Sequence, residues 1–363
     1  MQKPQEKRMS NGKWMALLLL GMLAAASVTW LALKPALEVK KQMNEAEKTQ
    51  VLAAHQSLPC DEVSMVRDNS PSLTKPMLLT EVNCESDELQ TLKMELSAFI
   101  DSQKVAGKIS RASVYFKELN SLHWTAANGD ELYYPGSLLK VAVMLTVLKQ
   151  AQRDKSLLER KIQFVSPGKM EVNVPVSSPM IVGSFYTVQE LIERMIVQSD
   201  NDATTLLFLV YDRALYDDLF AKLSIPVQNP EDRFYQVHPA DIAKFFRVLY
   251  NASYLSSLYS EYALSLLTKS EFNQGVMLGV SADTKVAHKF GERYTTSNLV
   301  QLHETAIVYR GSASYVISVM TEGKNMNDLA PVIEGLSRIC FTQKRAQLND
   351  VFLESKKTTQ LRS

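Results

Sequence analysis

The order of helix and strand patterns along the chain predicts an α+β fold. An antiparallel sheet of about five strands, flanked by N- and C-terminal helices, is expected with an all-helical lobe inserted between its halves. Three observations carry this. An amphipathic helix opening at Ser86 leads into two strand patterns; the stretch from about 137 to 283 reads almost wholly as helix; three more strand patterns and a second amphipathic helix then close the domain.

With 363 residues, 46% of them hydrophobic and 22% charged, the chain can bury a sizeable core. A net charge of +1 with no long basic face gives no reason to expect a nucleic-acid partner. The five histidines and three cysteines show neither C-x-x-C nor H-x-x-x-H spacing, so no metal or other cofactor is expected.

Residues 14–33, WMALLLLGMLAAASVTWLAL, form an uncharged run. At about 1.5 Å per residue it crosses a hydrocarbon core of about 30 Å. Lys3, Lys7, Arg8 and Lys13 precede it, which places residues 1–13 in the cytoplasm and everything after Leu33 outside the membrane. A cleaved secretory signal ending near Ala24-Ala25-Ala26 is the alternative, and it exports the rest of the chain equally. Residues 34–85 read as a polar stalk or linker. Cys60 and Cys84 within it are a candidate disulfide outside the cytoplasm. Cys340 falls on an apolar helical stripe and reads as a small buried hydrophobe.

In the body, 86–342, Leu89, Leu92, Leu96, Phe99 and Ile100 share one face of the first helix. Ala112–Phe116 alternates like a strand, and Leu122–Thr125 beyond the Leu119-Asn120-Ser121 turn is its hairpin mate. Thr187-Val188-Gln189-Glu190 is a capping box, and helices are expected at 202–211, 213–222, 239–250 and 257–269. Strands return at Lys285–Gly291, Thr305–Tyr309 and Ser314–Val319. A last helix, capped near Asp328 with Pro331 in its first turn, carries Leu329, Val332, Ile333, Leu336 and Ile339 on one stripe. Residues 343–363 turn polar and read as a frayed tail.

Three short motifs carry chemistry. Pro135-Gly136 ends what precedes and starts a helix, placing Ser137 and Lys140 on one face at i and i+3. A lysine with a lowered pKa can take the serine proton, and the free N–H groups of the helix start can hold an oxyanion. S-x-x-K alone arises about once by chance in a chain this long. Ser72-Leu73-Thr74-Lys75 matches too, but Pro76 disfavours helix at Lys75. Ser199-Asp200-Asn201 lies between two helices, where caps are also expected. Lys289-Phe290-Gly291 sits on a strand whose alternation aims Lys289 and Gly291 to one side and His288 and Phe290 to the other.

In this order the three motifs resemble those of class A β-lactamases and penicillin-binding proteins. The resemblance runs from about Ser86 to Phe341 and includes the order of elements and the stretch Leu302–Tyr309. It implies a β-lactamase/transpeptidase-like fold and an acyl-enzyme at Ser137, with Lys140 as proton acceptor. By the same resemblance Ser199 relays a proton to the leaving nitrogen. Lys289 holds the substrate carboxylate and tunes Ser199, while Asn201 orients Lys140 and the substrate amide. The N–H groups of Ser137 and Glu292 form the oxyanion hole beside Gly291.

Two departures matter. No E-x-x-L-N glutamate follows Ser199-Asp200-Asn201; Glu231 is the nearest candidate to activate the deacylating water. Phe290 stands where the family carries Thr or Ser, removing a hydrogen bond of about 1.5–3 kcal/mol to a charged partner.

The expected protein is an exported, membrane-anchored serine hydrolase of the β-lactamase type, acting on β-lactams or peptidoglycan peptides, with acylation better equipped than deacylation. A D-Ala-D-Ala carboxypeptidase or esterase activity and a non-catalytic cell-wall-binding module are the alternatives. A Ser–His–acid hydrolase using Ser137 with His303 and Glu304 is a further option.

Overall fold

The computed structural model describes residues 62–360 apart from 69, 71–72, 169–175, 228–233 and 296–298, with side chains described as far as Gln343. The 14–33 run, Cys60 and Glu231 therefore lie outside the described residues. Among the described residues no helix is long and apolar enough to cross a membrane.

A hairpin of β1 (Val63–Arg67) and β2 (Met77–Val82) comes first, then a 3-10 turn and α1 (Gln90–Val105). β3 (Arg111–Glu118) and β4 (Trp124–Ala127) follow, then α2 (Lys140–Arg153). A small hairpin, β5 (Lys161–Gln163) with β6 (Phe185–Thr187), precedes α3 (Val188–Val197) and α4 (Asn201–Leu207). The lobe continues with α5 (Arg213–Lys222), α6 (Pro239–Tyr250) and α7 (Ser257–Leu267). β7 (Val286–Tyr294), β8 (Val300–Val308), β9 (Tyr315–Gly323) and α8 (Met326–Gln360) complete the domain.

The five-stranded sheet has the order β4-β3-β9-β8-β7, with every pair antiparallel. β3 and β9 come from opposite ends of the domain and pair from Arg111↔Glu322 to Glu118↔Tyr315. Because side chains alternate across a strand, the sheet feeds two cores. Val114, Phe116, Leu302, Ala306, Ile317 and Val319 pack with Leu96 and Ile100 of α1 and Ile333 and Leu336 of α8. Tyr115, Ala287, Ile307, Val316 and Met320 face the helical lobe, with Val141 and Leu145 of α2 and Phe245 and Phe246 of α6. Each fully buried side chain of this size stabilises the fold by about 1.5–3 kcal/mol. Cys340 is fully buried on the stripe of α8.

α3 begins with the expected capping box: Thr187 Oγ1 accepts from Glu190 N at 3.1 Å, and Glu190 Oε2 accepts from Thr187 N at 2.6 Å. The expected all-helical lobe is helical apart from the β5–β6 hairpin.

Three expectations about the ends are corrected. The last part of the supposed linker is β1 and β2, with Leu78 and Leu79 buried in the lobe core. A short polar-rich stretch hid this, because the strands are fixed by partners distant in sequence. Arg247 of α6 pairs with Glu81 and donates to Thr80 O at 2.7 Å, and Ser253 Oγ donates to Leu78 O at 2.7 Å. Second, α8 starts earlier than Asp328: Asn325 Oδ1 accepts from Asn327 N at 3.0 Å, so Pro331 lies beyond the first turn. Third, the backbone stays helical to Gln360 rather than fraying near 343. Lysine, arginine, glutamine and leucine in this stretch are all competent helix formers, whatever its lack of an apolar stripe. Cys84 is disulfide-bonded; Cys60, the partner expected from the sequence, is outside the described residues.

Arg247→Met should destabilise the domain by about 2 kcal/mol, because it removes the charged hydrogen bond to Thr80 O and leaves Glu81 only Lys117, 3.9 Å away. Urea unfolding of wild type and variant checks this.

Candidate active site

The turn that carries Ser137 is a 3-10 turn, Gly136–Leu139, running into α2 at Lys140. A 3-10 turn has about three residues per turn, so i and i+3 lie almost directly above one another. Ser137 and Lys140 thus share a face more closely than an α-helical start would give. Gly136 has φ +52, and a Cβ there would lie 2.7 Å from Glu292 O and 3.2 Å from Glu292 N. A Cβ on Gly291 would lie 2.7 Å from Pro135 O and 3.0 Å from Leu138 N. Two glycines therefore let the β7 backbone press against the turn, bringing the N–H groups of residues 137 and 292 into one neighbourhood.

Lys140 is 5% exposed. Its Nζ donates to Ser199 O at 2.5 Å, Asn201 Oδ1 at 2.7 Å and Ser199 Oγ at 3.2 Å. Burial pulls its pKa down to about 7, with Asp200 and Glu292 opposing. Lys289 is fully buried, and its Nζ donates to Ser199 Oγ at 2.8 Å and Phe290 O at 2.9 Å. Burial first, and then the charge of Lys140, hold Lys289 well below the usual lysine range. Two amines thus converge on one hydroxyl. Two adjacent ammonium charges in a dry site repel, which favours a neutral amine on at least one of them.

Ser199 has φ +56, a left-handed conformation rare for a residue with a side chain. Asp200 holds it there. Its Oδ1 accepts from Asp202 N at 2.8 Å and Ala203 N at 3.1 Å, capping α4, while Oδ2 accepts from Arg194 Nε at 3.0 Å. The cap expected in this motif is present and serves the site. Arg194 was not singled out from the sequence, where nothing distinguishes it from the other charges of α3.

Strand alternation on β7 holds for the backbone positions. His288 Nδ1 meets Glu304 Oε1 at 2.7 Å on the α8 side, and Phe290 stacks on Phe272 with ring centroids 4.3 Å apart. β7 is an edge strand, so the Phe290 ring and Lys289 Nζ still meet around it, 4.3 Å apart. The aromatic ring thus stands beside the amine in place of a hydroxyl.

The Ser–His–acid option is corrected. His303 is fully buried with Nε2 3.1 Å from Tyr134 O, and Glu304 is on the other sheet face with His288. Adjacent strand residues point apart, so the two cannot form one relay to Ser137. Of the predicted residues, Ser137, Lys140, Ser199, Asn201, Lys289, Gly291 and Glu292 are gathered where the sheet meets the helical lobe. Among the described residues no cluster of histidine, cysteine and carboxylate side chains could hold a metal ion.

The fold is that of β-lactamases and transpeptidases. A model of the Beta-lactamase enzyme family matches residues 91–343, and the chain belongs to that family. Among solved structures, it is similar to PBP-A at 19% identity and a TM-score of 0.59, covering 71% of this chain and 97% of that one. A β-lactamase from Xanthomonas campestris is 16% identical with a TM-score of 0.59, covering 69% and 98%. An ancestral class A β-lactamase is 23% identical with a TM-score of 0.57, covering 67% and 98%. At these identities the likeness is one of fold. No curated protein matches the chain.

Asp200→Ala should cost about 3 kcal/mol, since it removes the α4 cap and leaves Arg194 without its carboxylate partner. Asp200→Asn, which keeps the cap acceptor, should cost roughly half of that; thermal or urea unfolding of both variants checks the order.

Proposed function

We propose that this domain is an exported serine hydrolase that forms an acyl-enzyme at Ser137 with β-lactams or peptidoglycan-type amides and releases it slowly. The observation that carries the reading is the convergence of Lys140 Nζ and Lys289 Nζ on Ser199 Oγ. Lys140, whose pKa burial pulls down to about 7, is partly neutral at physiological pH and able to accept a proton.

In the proposed step the Ser137 O–H bond breaks as Lys140 takes the proton, and Oγ bonds to the substrate carbonyl carbon. The N–H groups of Ser137 and Glu292 hold the resulting oxyanion. As the C–N bond breaks, Ser199 delivers to the nitrogen a proton that it regains from Lys140. Lys289 tunes Ser199. Its complete burial and the neighbouring Phe290 ring make it a poor direct ligand for a substrate carboxylate. Release of the acyl group lacks the family's E-x-x-L-N glutamate. A mutant of PBP-A has been captured as an acyl-enzyme with penicillin G, which supports penicillin as the first probe.

Export is supported by the uncharged run at 14–33 and by the disulfide at Cys84, since such bonds persist in oxidising compartments. Protease digestion of spheroplasts before and after lysis tests export to the periplasm or cell surface: protection of the domain until the spheroplasts are lysed would place it inside.

Ser137→Ala should abolish covalent labelling by a fluorescent penicillin, read by intact-protein mass spectrometry. Absence of label on wild type favours a binding module instead. The acylation rate should rise with pH through about 7 and level off above, because only the neutral amine of Lys140 accepts a proton. Lys140→Ala should remove that rise. The acyl-enzyme should persist for minutes, and rapid turnover of nitrocefin would show that some carboxylate activates water after all.

A further inference from the structure

The approach to the nucleophile is held by two kinds of bond. Tyr133 is fixed backbone to backbone: its N–H donates to Val237 O at 3.0 Å and its carbonyl accepts from Val237 N at 2.9 Å. Tyr134 is fixed by side chains of β8. Its N–H donates to Gln301 Oε1 at 3.0 Å, and its carbonyl accepts from His303 Nε2 at 3.1 Å. The next residue is Pro135, whose ring restricts φ, and Gly136 and Ser137 follow.

We propose that Gln301 and His303 are positioning residues for the nucleophile, gripping both polar groups of Tyr134 so that the turn carrying Ser137 stays against the β7 backbone. The proposal rests on the acylation reading above.

The chemistry of each partner fixes its direction. Thr321 N lies 3.2 Å from His303 Nδ1, and a backbone N–H can only donate, so Nδ1 carries the lone pair. Nε2 then carries the hydrogen, which is what the Tyr134 carbonyl requires. Burial keeps His303 neutral, with its pKa lowered to about 3, so this tautomer holds through the working pH range. Gln301 is also fixed, its Nε2 donating to Glu322 Oε2 at 2.5 Å, and Glu322 Oε1 accepts from Arg111 Nε at 3.0 Å. Both gripping side chains are fully buried. The Tyr133 ring packs edge-on against His303, with centroids 5.4 Å apart. The consequence is geometric: β8 sets the height of residue 134, while β7, its neighbour in the sheet, presents Gly291 and Glu292 to residues 135–138. Nucleophile and oxyanion donors are thus referenced to adjacent strands of one sheet.

The test compares wild type with His303→Leu, His303→Gln and Gln301→Met. Penicillin acylation is measured over a range of concentrations, separating non-covalent affinity from the first-order acylation rate constant, below the melting temperature of every variant. His303→Leu and Gln301→Met should lower the rate constant about tenfold or more at unchanged affinity, since small displacements of a reacting atom are costly. His303→Gln, whose amide can still donate to Tyr134 O, should recover most of the loss. The pH midpoint near 7 should not move. A folded His303→Leu or Gln301→Met variant with the wild-type rate constant overturns the proposal, as does a His303→Gln variant no faster than His303→Leu. If His303→Leu does not fold, Gln301→Met with His303→Gln decides by the same criteria. If wild type takes no penicillin, the acylation reading falls, and amide hydrogen exchange decides the grip. Faster exchange at Tyr134 and residues 136–138 in the Leu and Met variants, with α1 and α8 unchanged, supports it, and unaltered exchange at these residues overturns it.

Discussion

Two lysine amines buried around one serine hydroxyl form the constraint on which the rest of this domain depends. Taking an ammonium out of water costs several kcal/mol unless hydrogen bonds replace its hydration. Lys140 recovers part of that from Ser199 and Asn201, and Lys289 from Ser199 and the Phe290 carbonyl. Each partner comes from a different part of the fold: α2, the α3–α4 junction and the edge strand β7. The sheet register, the left-handed backbone at Ser199 and the cap made by Asp200 are the means by which three distant segments meet at hydrogen-bond distance.

This arrangement also explains the division of polar and apolar side chains on the last strands. On β7 and β8, Lys289, Gly291 and His303 face the lobe, and His288, Phe290 and Glu304 face α8. Buried polar groups are acceptable there because they have partners. His288 meets Glu304, whose other oxygen accepts from Val276 N at 2.8 Å, and Thr305 meets Ser318 at 2.8 Å. The buried polar side chains extend onto β3 and β9 as Ser113, Lys117, Ser318 and Thr321, and these too have hydrogen-bond partners.

Much of the fold was legible, for a local reason. The stripes of α1 and α8, the capping box of α3 and the strand patterns of β3, β7, β9 and the second half of β8 are local patterns contained within single segments. What escaped was decided at long range. The β1–β2 hairpin is held by Arg247 and Ser253, some 170 residues away in sequence. In the site, Ser137, Lys140, Ser199, Asn201 and Lys289 were legible as motifs. Arg194 and Gln301 were not, since a charge on a helix and an amide on a strand have no distinguishing spacing. His303 was noticed but given a different role, because the strand was expected to begin at Thr305; β8 begins at Val300, so His303 and Glu304 lie within it on opposite faces.

The sequence by itself determined which residue types enter the dry interface and on which local frames they ride: a serine and a lysine one turn apart, a serine before a capped helix, a lysine and a glycine two apart on a strand. Those are consequences of helical and strand periodicity, which act over a few residues. Only the tertiary structure decided that two amines share the Ser199 hydroxyl, that Lys140 is desolvated enough to titrate near 7, and that Phe290 reaches Lys289 around the sheet edge. Solvation and proximity are properties of packed neighbours, and those neighbours are supplied by segments about 60 to 150 residues apart.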